Sequence, residues 1–141
     1  MSYINPRRII AEERESAFFN PLIKTIFCNS NFKKLDTYNF FDFYNDELKV
    51  YIEVKSFNSR FLQYPEVLLG YDKIDEGIKH ISKNYNVFFI IEFEGGIIKI
   101  LELTKDVVKN SSIKIFNNKK HILIPTRFFE TLDDTDRYYF I

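Results

Sequence analysis

Val87-Phe88-Phe89-Ile90-Ile91 is an unbroken run of β-branched and aromatic residues. It offers no polar position to a solvent-facing side, so it reads as a strand buried on both faces, in the middle of a sheet. Glu94-Gly95-Gly96 turns it into a second strand, Ile97 to Leu103. Just before the run, from about Gly70 to Lys83, Ile74, Ile78 and Ile81 recur on one helical face with charges opposite. A central strand next to an amphipathic helix predicts an α/β or α+β domain with a mixed sheet.

The remaining elements fit that class. Helical spacing spans Ile9 to about Phe27, with Phe18, Leu22 and Ile26 as its stripe and Phe19 and Ile23 widening it. Pro21 is expected to kink or break this helix, because it lacks a backbone donor. Tyr38 to Tyr44, the turn Asn45-Asp46-Glu47 and Leu48 to Ser56 predict a β-hairpin. In its second strand Val50, Ile52 and Val54 take one face and Tyr51, Glu53 and Lys55 the other. A connection through Asn58, Arg60 and Pro65 follows. Ile113 to Phe116 and His121 to Ile124 predict a final hairpin, closed by Pro125, with a short helix over Thr126 to Leu132. No linker or repeat divides the 141 residues, so residues 1–141 read as a single domain.

Composition excludes several function classes. Lys+Arg and Asp+Glu number 20 each, so no basic excess advertises non-specific coating of nucleic acid. A lone cysteine, Cys28, excludes an internal disulfide and reads as a small buried hydrophobe. Two histidines, His80 and His121, cannot build a histidine metal cage and are expected to be structural. The N-terminus lacks the apolar core of a signal peptide, and no apolar run nears the roughly 20 residues of a membrane span, which predicts a soluble intracellular protein. Ile, Phe, Lys, Asn and Tyr supply about half the residues, a skew of AT-rich codons that suits a virus, a phage or a low-GC bacterium.

Chemistry concentrates at Asp42 and, eleven residues on, Glu53-Val54-Lys55. Glu53 and Lys55 share a strand face. With Tyr44 paired near Lys49, Asp42 falls opposite Tyr51 and diagonal to Glu53, within the roughly 7–8 Å of diagonal neighbours. Two such carboxylates repel unless a cation lies between them, and oxygen ligands favour the hard ions Mg²⁺ or Mn²⁺. The Val54 carbonyl is a further candidate ligand. A metal so held would lower the pKa of a bound water and bind a phosphodiester oxygen, with Lys55 orienting that water or stabilising charge on phosphorus.

Asp42, Glu53-Val54-Lys55 and the following Ser56 resemble the D-x(n)-E-x-K pattern of the PD-(D/E)xK nuclease superfamily, although Phe41 stands where that name has proline. The resemblance implies the restriction-endonuclease-like fold, an αβββαβ core over about residues 10 to 104 with the C-terminal β-hairpin as an addition. It implies divalent-metal-dependent phosphodiester cleavage with Mg²⁺ or Mn²⁺, in DNA ahead of RNA. Carried over by position, Asp42 and Glu53 would be metal ligands and Lys55 the catalytic lysine. Glu15 would be the first-helix glutamate, with Glu12 as the alternative, and Lys73 the basic residue of the second core helix. A chain this small suits structure-selective or weakly sequence-specific cleavage, by a homodimer with two sites. The alternative is a silent module of the same fold that binds nucleic acid or a protein. Arg7-Arg8, Lys33-Lys34, Arg60 and Lys119-Lys120 are candidate phosphate contacts, equally explained by solubility. Glu92, Glu94 and Glu102 read as edge or turn charges.

Overall fold

In the computed structural model, described over residues 17–36 and 39–131, the apolar run lies inside strand β5 (Asn86–Phe93). Val87 through Ile91 are each at most 1 % exposed. Helix α1 covers 17–26. After it come β1 (Lys33–Lys34), β2 (Phe43–Asn45), β3 (Val50–Ser56), β4 (Glu66–Gly70), α2 (Tyr71–Ile81), β5 and β6 (Ile97–Leu103). The chain continues through α3 (Lys105–Lys109), β7 (Ser112–Phe116), β8 (Lys119–Pro125), a 3₁₀ turn (Thr126–Phe128) and β9 (Glu130–Thr131).

Six strands form a mixed sheet in the order β1-β2-β3-β5-β6-β9. Strands β3 and β5 run parallel and the other pairs antiparallel, so β5 is central as its composition requires. Period-2 alternation sends Phe88 and Ile90 to one face, with Phe19, Ile23 and Ile26 of α1. Val87, Phe89 and Ile91 go to the other, with Ile74 of α2. The expected α+β class with a mixed central sheet is therefore present. So is the expected succession of helix, hairpin, helix and strand, and that strand runs parallel to the hairpin's second strand.

Several local expectations are corrected. Among the described residues α1 continues through Pro21, which is exposed. The missing donor costs one intrahelical bond on the solvent side, while Phe19 and Ile23 are wholly buried on the inner side. The buried stripe is Phe19, Ile23, Ile26 and Phe27; Phe18, expected within it, is 46 % exposed. Cys28, expected inside, is exposed at the helix end with φ 52. The expected C-terminal hairpin is present as β7 and β8, and β8 also pairs with β4, so that β4-β8-β7 form a separate three-stranded sheet. The expected helix over Thr126 to Leu132 is a 3₁₀ turn followed by β9. Among the described residues no helix is long and apolar enough to cross a membrane.

Candidate active site

The β2–β3 hairpin sets the site. Its register pairs Phe43 with Ile52, Tyr44 with Tyr51 and Asn45 with Val50. This lies two residues from the expected pairing of Tyr44 near Lys49. The turn is longer than expected: Lys49 takes a left-handed φ of 57, and the Asn45 side chain accepts the Leu48 N–H at 2.9 Å. Beyond Phe43 the Asp42 N–H donates to the Ile52 carbonyl at 2.9 Å, so two consecutive residues face one, as in a β-bulge. A bulge re-aims the side chain it carries. Here the Asp42 carboxylate accepts the Val54 N–H at 2.9 Å.

On β3 the alternation holds, and Glu53 projects to the α2 face, where it is 4 % exposed. Burial, then the Asp42 charge and a hydrogen bond with Asp42, push the Glu53 carboxyl well above its ordinary range, against the opposing pull of Lys73. Lys73, in the first turn of α2, donates its ammonium to Glu53 Oε2 and, at 2.8 Å, to the Phe40 carbonyl. The helix can sit close because of Gly77: a Cβ there would come within 2.6 Å of Leu103 Cδ2.

Lys55, two residues beyond Glu53 on the same face, is half-buried and has no acidic partner among the described residues. It lines a cleft of about 770 Å³ together with Lys73 and the start of α2. The structure thus brings together Asp42, Glu53, Val54 and Lys73, and sets Lys55 at the edge of the same patch. Glu15 and Glu12 lie outside the described residues.

Behind the patch Tyr51 stacks on His80 with ring centroids 3.9 Å apart, and Phe41 packs on both. Burial pushes the His80 imidazole below its ordinary value, in keeping with a structural role. Sequence reasoning missed this stack, although Tyr51 and Glu53 share a strand face. The β7–β8 hairpin is where it is expected, but its place beside the cleft is not foreseen, because the β4–β8 pairing joins segments more than fifty residues apart.

The donor set fits a hard divalent cation. Two carboxylates meet in a buried spot that already attracts one cation, the Lys73 ammonium. In an extended strand a residue's N–H and C=O point to the same side. The Val54 carbonyl therefore faces the Asp42 side, as its N–H does. No cluster of three or more His, Cys, Asp or Glu side chains able to hold a metal occurs among the described residues.

No protein-family model matches the chain, and no curated protein is similar to it. Solved structures are, and two of them follow. One is Hjc, a Holliday junction resolvase from Archaeoglobus fulgidus, at 10% identity and a TM-score of 0.49, over 84% of this chain and 87% of that one. The other is D212, a nuclease from a fusselovirus, at 16% identity and a TM-score of 0.47, over 92% of this chain and 90% of that one.

Proposed function

We propose that this chain is a divalent-metal-dependent nuclease of the PD-(D/E)xK type that hydrolyses phosphodiester bonds in DNA. The observation that carries the proposal is the convergence of Asp42 and buried Glu53 on one patch, flanked by Lys73 and by Lys55 on the same strand face. An amphipathic strand with a solvated face would not bury a carboxylate beside a second one, since the ionised pair is costly without a cation.

Asp42, Glu53 and the Val54 carbonyl would hold Mg²⁺ or Mn²⁺, which when bound supplies Lewis acidity to the phosphodiester and acidifies a water. The chain's own part follows from its geometry. The bulge and the Val54 N–H fix the Asp42 carboxylate, so its free oxygen is presented in one orientation. Burial keeps Glu53 in a weakly screened setting, where its attraction for a cation is strong once it is ionised. Lys73 balances Glu53 in the absence of metal and, displaced toward the cleft, becomes a cation for the phosphate. Lys55 extends from the same face, where its ammonium orients the attacking water or stabilises negative charge at phosphorus. The small frame suits weakly specific or structure-selective cutting, with a homodimer bringing two sites to one substrate.

The test is a cleavage panel of linear, nicked, branched and single-stranded DNA and of RNA, with and without Mn²⁺, with Lys55→Ala as control. Metal-dependent cutting of DNA that Lys55→Ala loses is the expected result. All substrates left intact by the wild type would refute the enzyme and leave a binding module.

A further inference from the structure

We propose that the β7–β8 hairpin is a phosphate clamp for the substrate strand, with Lys119 and Lys120 gripping the backbone beside the scissile bond. This rests on the nuclease reading above and names the surface by which that site holds nucleic acid.

The placement follows from strand register. Gly70, the last residue of β4, pairs with His121 of β8, and Tyr71 opens α2 directly after it. Lys119 and Lys120 therefore overhang the first turn of α2, the same turn that sends Lys73 to Glu53. Both line the cleft that Lys55 and Lys73 share.

The hairpin is held rigidly. Its two turn residues, Asn117 and Asn118, both take left-handed φ, 48 and 62, the signature of a tight type I′ turn. Ile122 and Ile124 anchor β8 in the core at 1 % and 0 % exposure. Lys120 is further positioned with Nζ 4.0 Å from the centroid of the Tyr71 ring.

Charge on the cleft wall is unbalanced. Lys55, Lys73, Lys119 and Lys120 line it against Asp72 and Asp75, and Asp75 lies 3.8 Å from Lys79. Lys55, Lys119 and Lys120 have no acidic partner among the described residues. Lysines lining one cleft with Lys73, whose ammonium reaches Glu53, suit a polyanion whose reacting phosphate sits at the carboxylates while its neighbours lie on the lysines.

The test measures binding of the full-length protein to a labelled DNA duplex in chelator over a range of salt. Lys119→Gln/Lys120→Gln, in exposed positions, should flatten the slope of log K against log salt by about 1.8 on duplex, or about 1.4 on a single strand, as expected for two lost phosphate contacts. Lys119→Arg/Lys120→Arg should keep the slope, and so should Lys105→Gln/Lys109→Gln on α3, which changes total charge equally. In Mn²⁺ the glutamine pair should raise KM and leave kcat intact. An unchanged slope, or an equal loss in the α3 variant, overturns the clamp. The binding arm needs no turnover. A wild type that binds but never cleaves therefore refutes the nuclease alone, whereas one that cleaves with an unaltered slope in the hairpin variant refutes the clamp alone.

Discussion

On the α1 side of β3, Val50, Ile52 and Val54 are at most 2 % exposed and sit among Phe19, Ile23, Phe43 and Phe88. On the α2 side of the same strand Tyr51, Glu53 and Lys55 meet Phe41, His80 and Lys73. One face is hydrocarbon packed on hydrocarbon, which stabilises by area removed from water and asks only for volume. The other buries a carboxylate next to a carboxylate, an arrangement that works against folding and is tolerated because its opposite face holds the strand in place. The contrast separates stability from chemistry along a single seven-residue strand, and it predicts which substitutions will hurt which property.

Glu53→Gln tests the polar face most severely. It should abolish Mn²⁺-supported cleavage, a larger loss than the ~10²–10³-fold seen on removing one transition-state-stabilising group. Its thermal midpoint should stay level or rise, because a neutral amide no longer opposes Asp42. A midpoint that collapses would mean that Glu53 is a structural ion-pair residue. Lys55→Ala should slow cleavage at saturating metal by about 10²–10³-fold. Metal affinity and the unfolding midpoint should hold, since Lys55 is half-solvated and coordinates nothing.

Ile52→Ala breaks the apolar face instead. Removing this wholly buried side chain should cost about 2–5 kcal/mol in urea unfolding, and the folded fraction should still bind Mn²⁺. If metal binding fails while the protein is folded, the two faces are not separable.

The smallest effect is on the pH dependence of stability. Because the Glu53 carboxyl is raised in the folded state above its unfolded value near 4.5, the folded protein holds more protons between the two. Stability in chelator should therefore fall as pH rises from about 4.5 through the folded value, and Glu53→Gln should flatten that decline. A wild-type slope of the opposite sign around Glu53 would show the carboxylate to be favourably ionised by Lys73.

Much of this was legible before the fold. The clean alternation of Val50 to Lys55 separates the faces, and the stripe of Ile74, Ile78 and Ile81 marks α2, while Lys73 rests on the resemblance and lies beside Glu53 in the first turn of that helix. What was not legible was non-local or lay in unusual backbone. Val67 and Leu69 are buried strand residues of β4, but the partner that makes them a strand, β8, lies far along the chain. The hairpin register turned on Lys49 adopting a left-handed conformation that a lysine rarely takes, and on a bulge at Asp42 that no residue type announces. These two features moved Asp42 from diagonal of Glu53 to a hydrogen bond with Val54. Pro21 does not break the helix, because burial of Phe19 and Ile23 outweighs one lost hydrogen bond.

The central claim is that Asp42 and Glu53 form a cation site, and calorimetric titration of Mn²⁺ into the full-length protein tests it most directly. The wild type should bind a single ion per chain with release of protons as Glu53 ionises. Asp42→Ala and Glu53→Gln should each abolish that binding while remaining folded. Equal binding by the wild type and both variants would place any metal elsewhere and contradict the account, and so would no binding by the wild type.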